Sequence, residues 1–235
     1  MATDRTLIAI PTYNERENVG PLVAVLLQIV PEADVILIDD NSRDGTVVVA
    51  EQQFANDPRF SVLVRSGARS FGRSLIDAYH VAVDRGYERL VQMDADFSHD
   101  PAKAPALISA TDKADVSIGS RYCAGGGVAD WPLRRRLLSR FANIYVRAIT
   151  GVRVRDSTSG FRCYTRRALE CLLRIGMNSE GYAFQVEAAF LAQREGLRIV
   201  EIPITFTDRR AGRSKMSGRV IFESMVKPWA LRFGS

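Results

Sequence analysis

Cysteine and histidine are scarce in this 235-residue chain, which has three of the former and two of the latter. Cys123, Cys163 and Cys171 are widely spaced and include no CxxC, so neither a disulfide framework nor a zinc knuckle is indicated, and a reducing compartment is the default. His80 falls on a predicted helix, where a packed or surface role is expected, and His99 has no second histidine nearby with which to bind zinc. Long apolar runs are missing too: none approaches the ~20 residues of a membrane span. The N-terminal MATDRTLIAIPTYN lacks the basic start, apolar stretch and cleavage site of a secretory signal, so a soluble or peripherally bound protein is expected. There is no GxxxxGK[ST], and Gly125-Gly126-Gly127 does not follow a strand as GxGxxG would, which counts against kinases, P-loop enzymes and Rossmann dehydrogenases. No internal repeat, low-complexity tract or obvious linker is present.

What the chain does have is a foldable balance of 46% apolar and 25% charged residues, enough to bury the core of one large α/β domain with room for a small appendage. Leu7–Ile10 and Val35–Ile38 are wholly apolar runs ending in polar residues, as in central parallel strands covered on both faces. Between them Val19, Leu22, Val23, Leu26, Leu27 and Val30 recur at helical spacing, with Asn18 expected as N-cap and Pro21 in the first turn. The alternation continues with strands at Ser61–Val64, Leu90–Met93, Val116–Ile118 and Phe161–Tyr164, and helices at Ser74–Arg85, Pro101–Thr111 and Phe184–Arg194. Ile199–Phe206 reads as an extended edge segment broken by Pro203. A twisted, mostly parallel sheet follows. From Arg134 onward, Leu137, Leu138, Phe141, Ile144, Tyr145, Ala148 and Ile149 form one face of a helix that also carries Arg136, Arg140 and Arg147, so this helix is amphipathic and basic.

Net charge is +5 and the pI near 9.3, which favours anionic partners: nucleic acid, phosphorylated small molecules or an acidic lipid surface. The basic runs Arg134–Arg140 and Arg209–Lys215 read equally as solvated faces, and without interleaved stacking aromatics they do not suggest nucleic-acid binding.

Open α/β sheets place their ligand at the C-terminal ends of the strands. Three polar clusters sit there: Pro11-Thr12-Tyr13-Asn14-Glu15, Asp39-Asp40-Asn41-Ser42 and Asp94-Ala95-Asp96. The first two also read as ordinary turn chemistry. Asp94-x-Asp96 is sharper, since two carboxylates at a strand end can hold a hard divalent cation and leave positions open for a diphosphate.

With those residues in view, the chain resembles the polyprenol (dolichol) phosphate mannose synthases of glycosyltransferase family 2. The pieces that carry the resemblance occur in order over nearly the whole length: IPTYNERENV, IDDNSRDGT, MDADFSHDP, GSRY, WPLRRRLLSR, STSGFR, EGYAFQVE and IPITFTDRRAGRSKMS. The resemblance implies an α/β GT-A fold, a divalent metal (Mg2+ or Mn2+), GDP-mannose as donor, a polyprenyl monophosphate as acceptor, and inversion at the anomeric carbon. It places Pro11, Tyr13, Glu15, Ile38, Asp39 and Asp40 in the nucleotide pocket, Asp94 and Ala95 against the donor, and Asp96 and Ser98 on the metal. Arg121, Arg209 and Lys215 are implied to grip phosphates, and Arg135 and Ser139, with Arg121, to meet the acceptor phosphate. Asp94, Asp96, Arg121 and Arg209 are thereby the catalytic set. This chain departs from the pattern at Ser98, where some relatives carry glutamine, a better metal ligand, and in ending at Ser235 where many continue into membrane helices.

The organisation this implies is a catalytic domain over 1–216 and an amphipathic tail over 217–235, whose Val220, Ile221, Met225, Trp229, Leu231 and Phe233 suit either a membrane or partner contact or packing on the domain itself. Location is then expected at the cytoplasmic face of a membrane, held peripherally, with a small membrane subunit as a further candidate partner. Two alternatives stand beside this reading: a transferase of the same fold using UDP-glucose or another UDP-sugar, and a non-catalytic sugar-nucleotide-binding scaffold.

Overall fold

The computed structural model describes residues 5–129, 131–207 and 218–234, with the side chains of 218–224 left aside. Arg209 and Lys215 therefore lie outside the described residues. The elements run, in chain order, β1 (Thr6–Thr12), α1 (Arg16–Ile29), β2 (Ala33–Asp39), α2 (Thr46–Phe54), β3 (Phe60–Val64), α3 (Phe71–Asp84) and β4 (Arg89–Gln92). A 3-10 turn at Pro101–Lys103 leads into α4 (Ala104–Ala110). There follow β5 (Val116–Ser120), β6 (Gly127–Val128), α5 (Leu133–Thr150), β7 (Arg162–Thr165), α6 (Arg166–Ile175), α7 (Gly181–Arg194), β8 (Ile199–Pro203), β9 (Thr205–Phe206) and α8 (Gly218–Phe233).

Seven strands form one sheet in the order β3-β2-β1-β4-β7-β5-β8, and β6 pairs with β9 beside it. All neighbours in the large sheet are parallel except β7, which runs antiparallel to both β4 and β5. Successive residues of β1 serve opposite faces, as the pleat requires. Leu7 and Ala9 join Ile36, Ile38, Tyr79, Leu169 and Phe184 in one core, whereas Ile8 and Ile10 join Leu22, Leu26, Leu37 and Leu107 in the other. Helices thus cover both faces, and the sheet, mostly parallel, is of GT-A type. No described helix is long and apolar enough to cross a membrane.

Three sequence expectations need correction. Helix α1 begins at Arg16, not after Asn18: the carbonyl of Glu15 accepts the N–H groups of Asn18 and Val19, and buried Asn18 donates from Nδ2 to Glu15 Oε2 at 2.8 Å. Pro21 accordingly sits inside that helix instead of in its first turn. Helix α3 starts at Phe71, because Ser70 caps it by accepting the Arg73 N–H at 3.1 Å.

Helix α5 is built inside out. Its buried side chains are Asn143, Val146 and Thr150, while Leu133, Leu137, Leu138, Phe141 and Ile144 are between 56% and 69% exposed. Helix α8 lies against it: Trp229 Nε1 donates to Tyr145 Oη at 2.8 Å, and that hydroxyl donates to the Met225 carbonyl at 2.8 Å. Lys227 reaches Glu187 of α7 at 3.4 Å, and Met225, Val226, Trp229 and Phe233 remain exposed. The tail therefore packs on its own domain along one side and keeps an apolar side outward.

Candidate active site

The register aligns the three polar clusters on one edge. Pro11 and Thr12 stand opposite Ile38 and Asp39 across the β1–β2 pair, and β4, whose Gln92 is beside Ala9, delivers Asp94 to the other flank of β1. In the first two clusters much of the polarity is spent internally. Asp39, fully buried, accepts from Thr12 Oγ1 at 2.9 Å, from the Ser42 N–H at 2.7 Å and from the Ser42 hydroxyl at 2.6 Å. Asp40 is ion-paired with Arg65 and accepts the Ser70 N–H at 2.9 Å, and Arg65 is held in turn by Asp77 at 2.6 Å. Tyr13 lies under the Arg69 guanidinium, 4.0 Å from ring centroid to Cζ, and the Glu15 N–H is fixed by Thr46 Oγ1 at 2.9 Å. Ile38 and Ala95 have their side chains in the two cores, so only their backbone faces the edge.

The Asp94–His99 loop is tightly folded. Phe97 adopts a left-handed φ of 59°, and the Ser98 N–H turns back to Asp96 Oδ1 at 3.1 Å. His99 accepts the Asp94 N–H at Nδ1 (3.2 Å), which leaves its ring proton on Nε2. Burial pushes the His99 pKa below its usual value, with Asp94 and Asp96 only partly offsetting it, so the ring is neutral. It stacks on Phe161 at 5.1 Å and meets Phe206 edge-on at 5.6 Å. Gly160 closes over the loop: a Cβ there would stand 3.4 Å from Asp94 Oδ1 and 3.6 Å from His99.

Whether a divalent cation suits this loop is answered by its oxygens. Asp96 is buried, and the buried Ser98 Oγ has no hydrogen-bond partner among the described residues. A buried hydroxyl without a partner is costly, and a cation is one way to satisfy it, so the two residues fit. No group of three or more His, Cys, Asp or Glu side chains is gathered for a metal among the described residues. Such a site suits an ion that shares its coordination with substrate phosphates.

Beyond β5 stands Arg121, whose partner the sequence reading missed. Its Nε and Nη2 grip both oxygens of Asp156 at 2.7 Å, Nη2 also donates to Thr158 Oγ1 at 2.7 Å, and its N–H donates to Asp156 at 2.9 Å. Burial pushes Asp156 upward, but the Arg121 charge and hydrogen bonds outweigh it and hold the carboxyl below its usual range. Arg121, likewise opposed by burial, is raised by the same pairing. Buried Asn143 of α5 ties this loop down through the Ser157 N–H (2.9 Å) and Thr158 Oγ1 (3.2 Å). Arg135 and Ser139 come to the same place: Arg135 stacks on Trp131 at 3.9 Å, Arg121 lies 5.8 Å from that ring, and Tyr122 Oη donates to Ser139 Oγ at 2.7 Å. Arg121, Arg135 and Ser139 are thus brought together. Asp156, Trp131, Tyr122 and Arg65 were assigned no role from sequence, although Tyr122 ends the GSRY piece, Trp131 opens WPLRRRLLSR and Asp156 stands directly before STSG; Arg65 had no such cue.

A polar edge where β1 meets β2, an acidic loop fit for a cation and a basic cluster stand together at one end of a GT-A sheet. The chain belongs to glycosyl transferase family 2, whose model matches residues 7–173, and it is a glycosyltransferase. It is 43% identical over 234 residues to the polyprenol monophosphomannose synthase of Mycolicibacterium smegmatis, covering 98% of this chain and 88% of that protein. It is 41% identical over 222 residues to the undecaprenyl-phosphate mannosyltransferase of Micrococcus luteus, covering 94% and 91%. Among solved structures, glucosyl-3-phosphoglycerate synthase from Mycobacterium tuberculosis, in complex with Mn2+, UDP and phosphoglyceric acid, superposes with a TM-score of 0.73 at 17% identity, covering 99% of this chain and 80% of that one. The same enzyme with Mg2+ and UDP gives 0.68 at 17% identity, covering 98% and 80%.

Proposed function

We propose that the protein transfers mannose from GDP-mannose to a polyprenyl monophosphate, with inversion, at the cytoplasmic face of a membrane. The observation that carries this reading is the clustering of Arg121, Arg135 and Ser139 at the N-terminal end of a helix whose apolar face is turned outward. A lipid phosphate needs both features side by side: cations for its headgroup and an apolar track for its tail. The two mannosyltransferase relatives, which act on polyprenol and undecaprenyl phosphate by their names, support the same reading.

A phosphate monoester is already anionic at neutral pH, so it can attack the anomeric carbon without a strong base while the bond to the departing GDP breaks on the opposite face. The protein must align two anions and stabilise charge on the leaving group. In this reading Tyr13, Glu15 and Asp40 hold the nucleoside, Asp94 positions the sugar, and Arg121, Arg209 and Lys215 grip phosphates. Asp96 and Ser98 would hold Mg2+ or Mn2+, and the relation of the fold to enzymes crystallised with either ion agrees with this. A bound divalent cation neutralises charge developing on the diphosphate.

Residues 1–216 would then be the catalytic domain and 217–235 part of the membrane contact. Exposed Leu137, Phe141, Ile144, Trp229 and Phe233 supply apolar surface beside Arg140 and Arg232 for anionic headgroups. The experiment is to incubate the protein with labelled GDP-mannose, Mg2+ or Mn2+ and a short polyprenyl phosphate: label entering the organic phase supports the reading. Label entering only from UDP-glucose would replace the donor.

A further inference from the structure

Trp131 is nine-tenths buried between β6 and α5, yet its Nε1–H has no hydrogen-bond partner among the described residues. Buried N–H donors without an acceptor are uncommon in folded proteins, and each one calls for an explanation. Indole is a donor only, so whatever satisfies it must be an acceptor. The surroundings narrow the choice. The Arg135 guanidinium lies 3.9 Å from the ring centroid and that of Arg121 5.8 Å, while Phe206 meets the ring edge-on at 5.3 Å. The acidic side chain bonded to Arg121, Asp156, already gives both oxygens to that arginine. Tyr122 donates its proton to Ser139 Oγ at 2.7 Å, which leaves the serine's own hydroxyl hydrogen to donate elsewhere. A buried N–H, a hydroxyl and two guanidinium groups in one neighbourhood select an oxyanion rather than a neutral acceptor.

We infer that Trp131 is a binding residue for a phosphate oxygen of the acceptor lipid, its Nε1–H acting alongside Arg121, Arg135 and Ser139. The inference rests on the proposed reading of this cluster as the acceptor side of the site. The packing also accounts for tryptophan over other aromatics: the ring forms a platform for Arg135, and its one polar atom supplies a donor that phenylalanine lacks and that brings no competing acceptor lone pair.

Trp131→Phe keeps an aromatic ring for Arg135 and Phe206 and removes the N–H. The expected result is a roughly tenfold rise in KM for a short polyprenyl phosphate, the size of one lost hydrogen bond to a charged group, with the Kd for GDP-mannose at the wild-type value and Tm not lowered. An unchanged acceptor KM overturns the inference. A defect confined to GDP-mannose overturns it too, by moving the N–H to the donor diphosphate. A second measurement does not need turnover. Trp131 and Trp229 are the only tryptophans, so in a Trp229→Phe background the indole emission reports Trp131 alone. Titration with polyprenyl phosphate should shift that emission, whereas the matching unphosphorylated polyprenol should not; equal responses, or none, count against the inference. If the wild type transfers mannose to no polyprenyl phosphate while this emission still responds to phosphate, the proposed function fails and the N–H assignment stands.

Discussion

At the scale of single residues, the site divides into groups that meet ligands and groups that hold them in place. Asp96→Asn keeps the shape of the loop but weakens any bound cation, so turnover with Mg2+ or Mn2+ should be lost while the circular dichroism spectrum and Tm stay near wild type; a retained rate in metal-free buffer would remove the metal from the reading. Asp156→Asn differs, because it strands a buried guanidinium. Breaking a buried ion pair by removing one partner costs about 3–5 kcal/mol, so this variant should show a large fall in denaturant midpoint along with its loss of activity. The same pair sets an acid limit. The Asp156 pKa is depressed in the folded protein, so its contribution is fully present above the unfolded carboxyl value and is lost as pH falls through the folded one. Unfolding curves should accordingly steepen their pH dependence below about pH 3.9, and Asp156→Asn should flatten it. Arg135, stacked on Trp131 beside Arg121 and Ser139, should in the proposed reading behave as a ligand group: Arg135→Ala is expected to cost about 1.5–3 kcal/mol in acceptor use, with Arg135→Lys recovering only part because an ammonium cannot make two parallel bonds to one phosphate. Steady-state kinetics with each substrate varied in turn separates this from a donor defect.

At the scale of elements, α5 shows what periodicity reveals and what it leaves out. The stripe Leu137, Leu138, Phe141, Ile144 is plain in the sequence, but a stripe does not say what it faces, and the usual inference that it faces the core is wrong here. Asn143, one buried amide bonded to Ser157 and Thr158, fixes the other side inward. The substitutions Leu137→Ser, Phe141→Ser and Ile144→Ser made together should therefore leave Tm within a few degrees of wild type, since little apolar area is buried at these positions, while abolishing flotation with anionic vesicles. A triple variant that unfolds instead would mean the face packs on the protein. Two helices were not legible at all. The Val47-Val48-Val49 run of α2 is β-branched and reads as a strand, and α6 is short and rich in arginine. In contrast, the strands stood out because their apolar runs are covered on both faces. The polar edge at the ends of β1, β2 and β4 was legible for the same reason, since its clusters follow those strands directly. Asp156 was not, because its meaning depends on an approach to Arg121, 35 residues away in sequence, that no local pattern records.

At the scale of the whole molecule, the place of β7 in the sheet has a consequence for how the protein is made. Strands β3, β2, β1 and β4 pair with one another and need nothing beyond residue 92. Strand β5 is synthesised next, but both its neighbours, β7 and β8, come later in the chain. A growing polypeptide therefore carries the buried sequence Val116–Ser120 as an unpaired strand with two open edges until residues 162–165 emerge and join the halves, the kind of segment on which chains aggregate. Pulse-labelled hydrogen exchange during refolding should protect the amides of β1 and β2 before those of β5 and β8. Arg121 hangs from the end of β5 and Asp156 from the approach to β7, so their ion pair cannot form until that insertion is made. The nascent chain can acquire the polar edge of β1 and β2 early, and the buried ion pair beyond β5 is among the last features it gains.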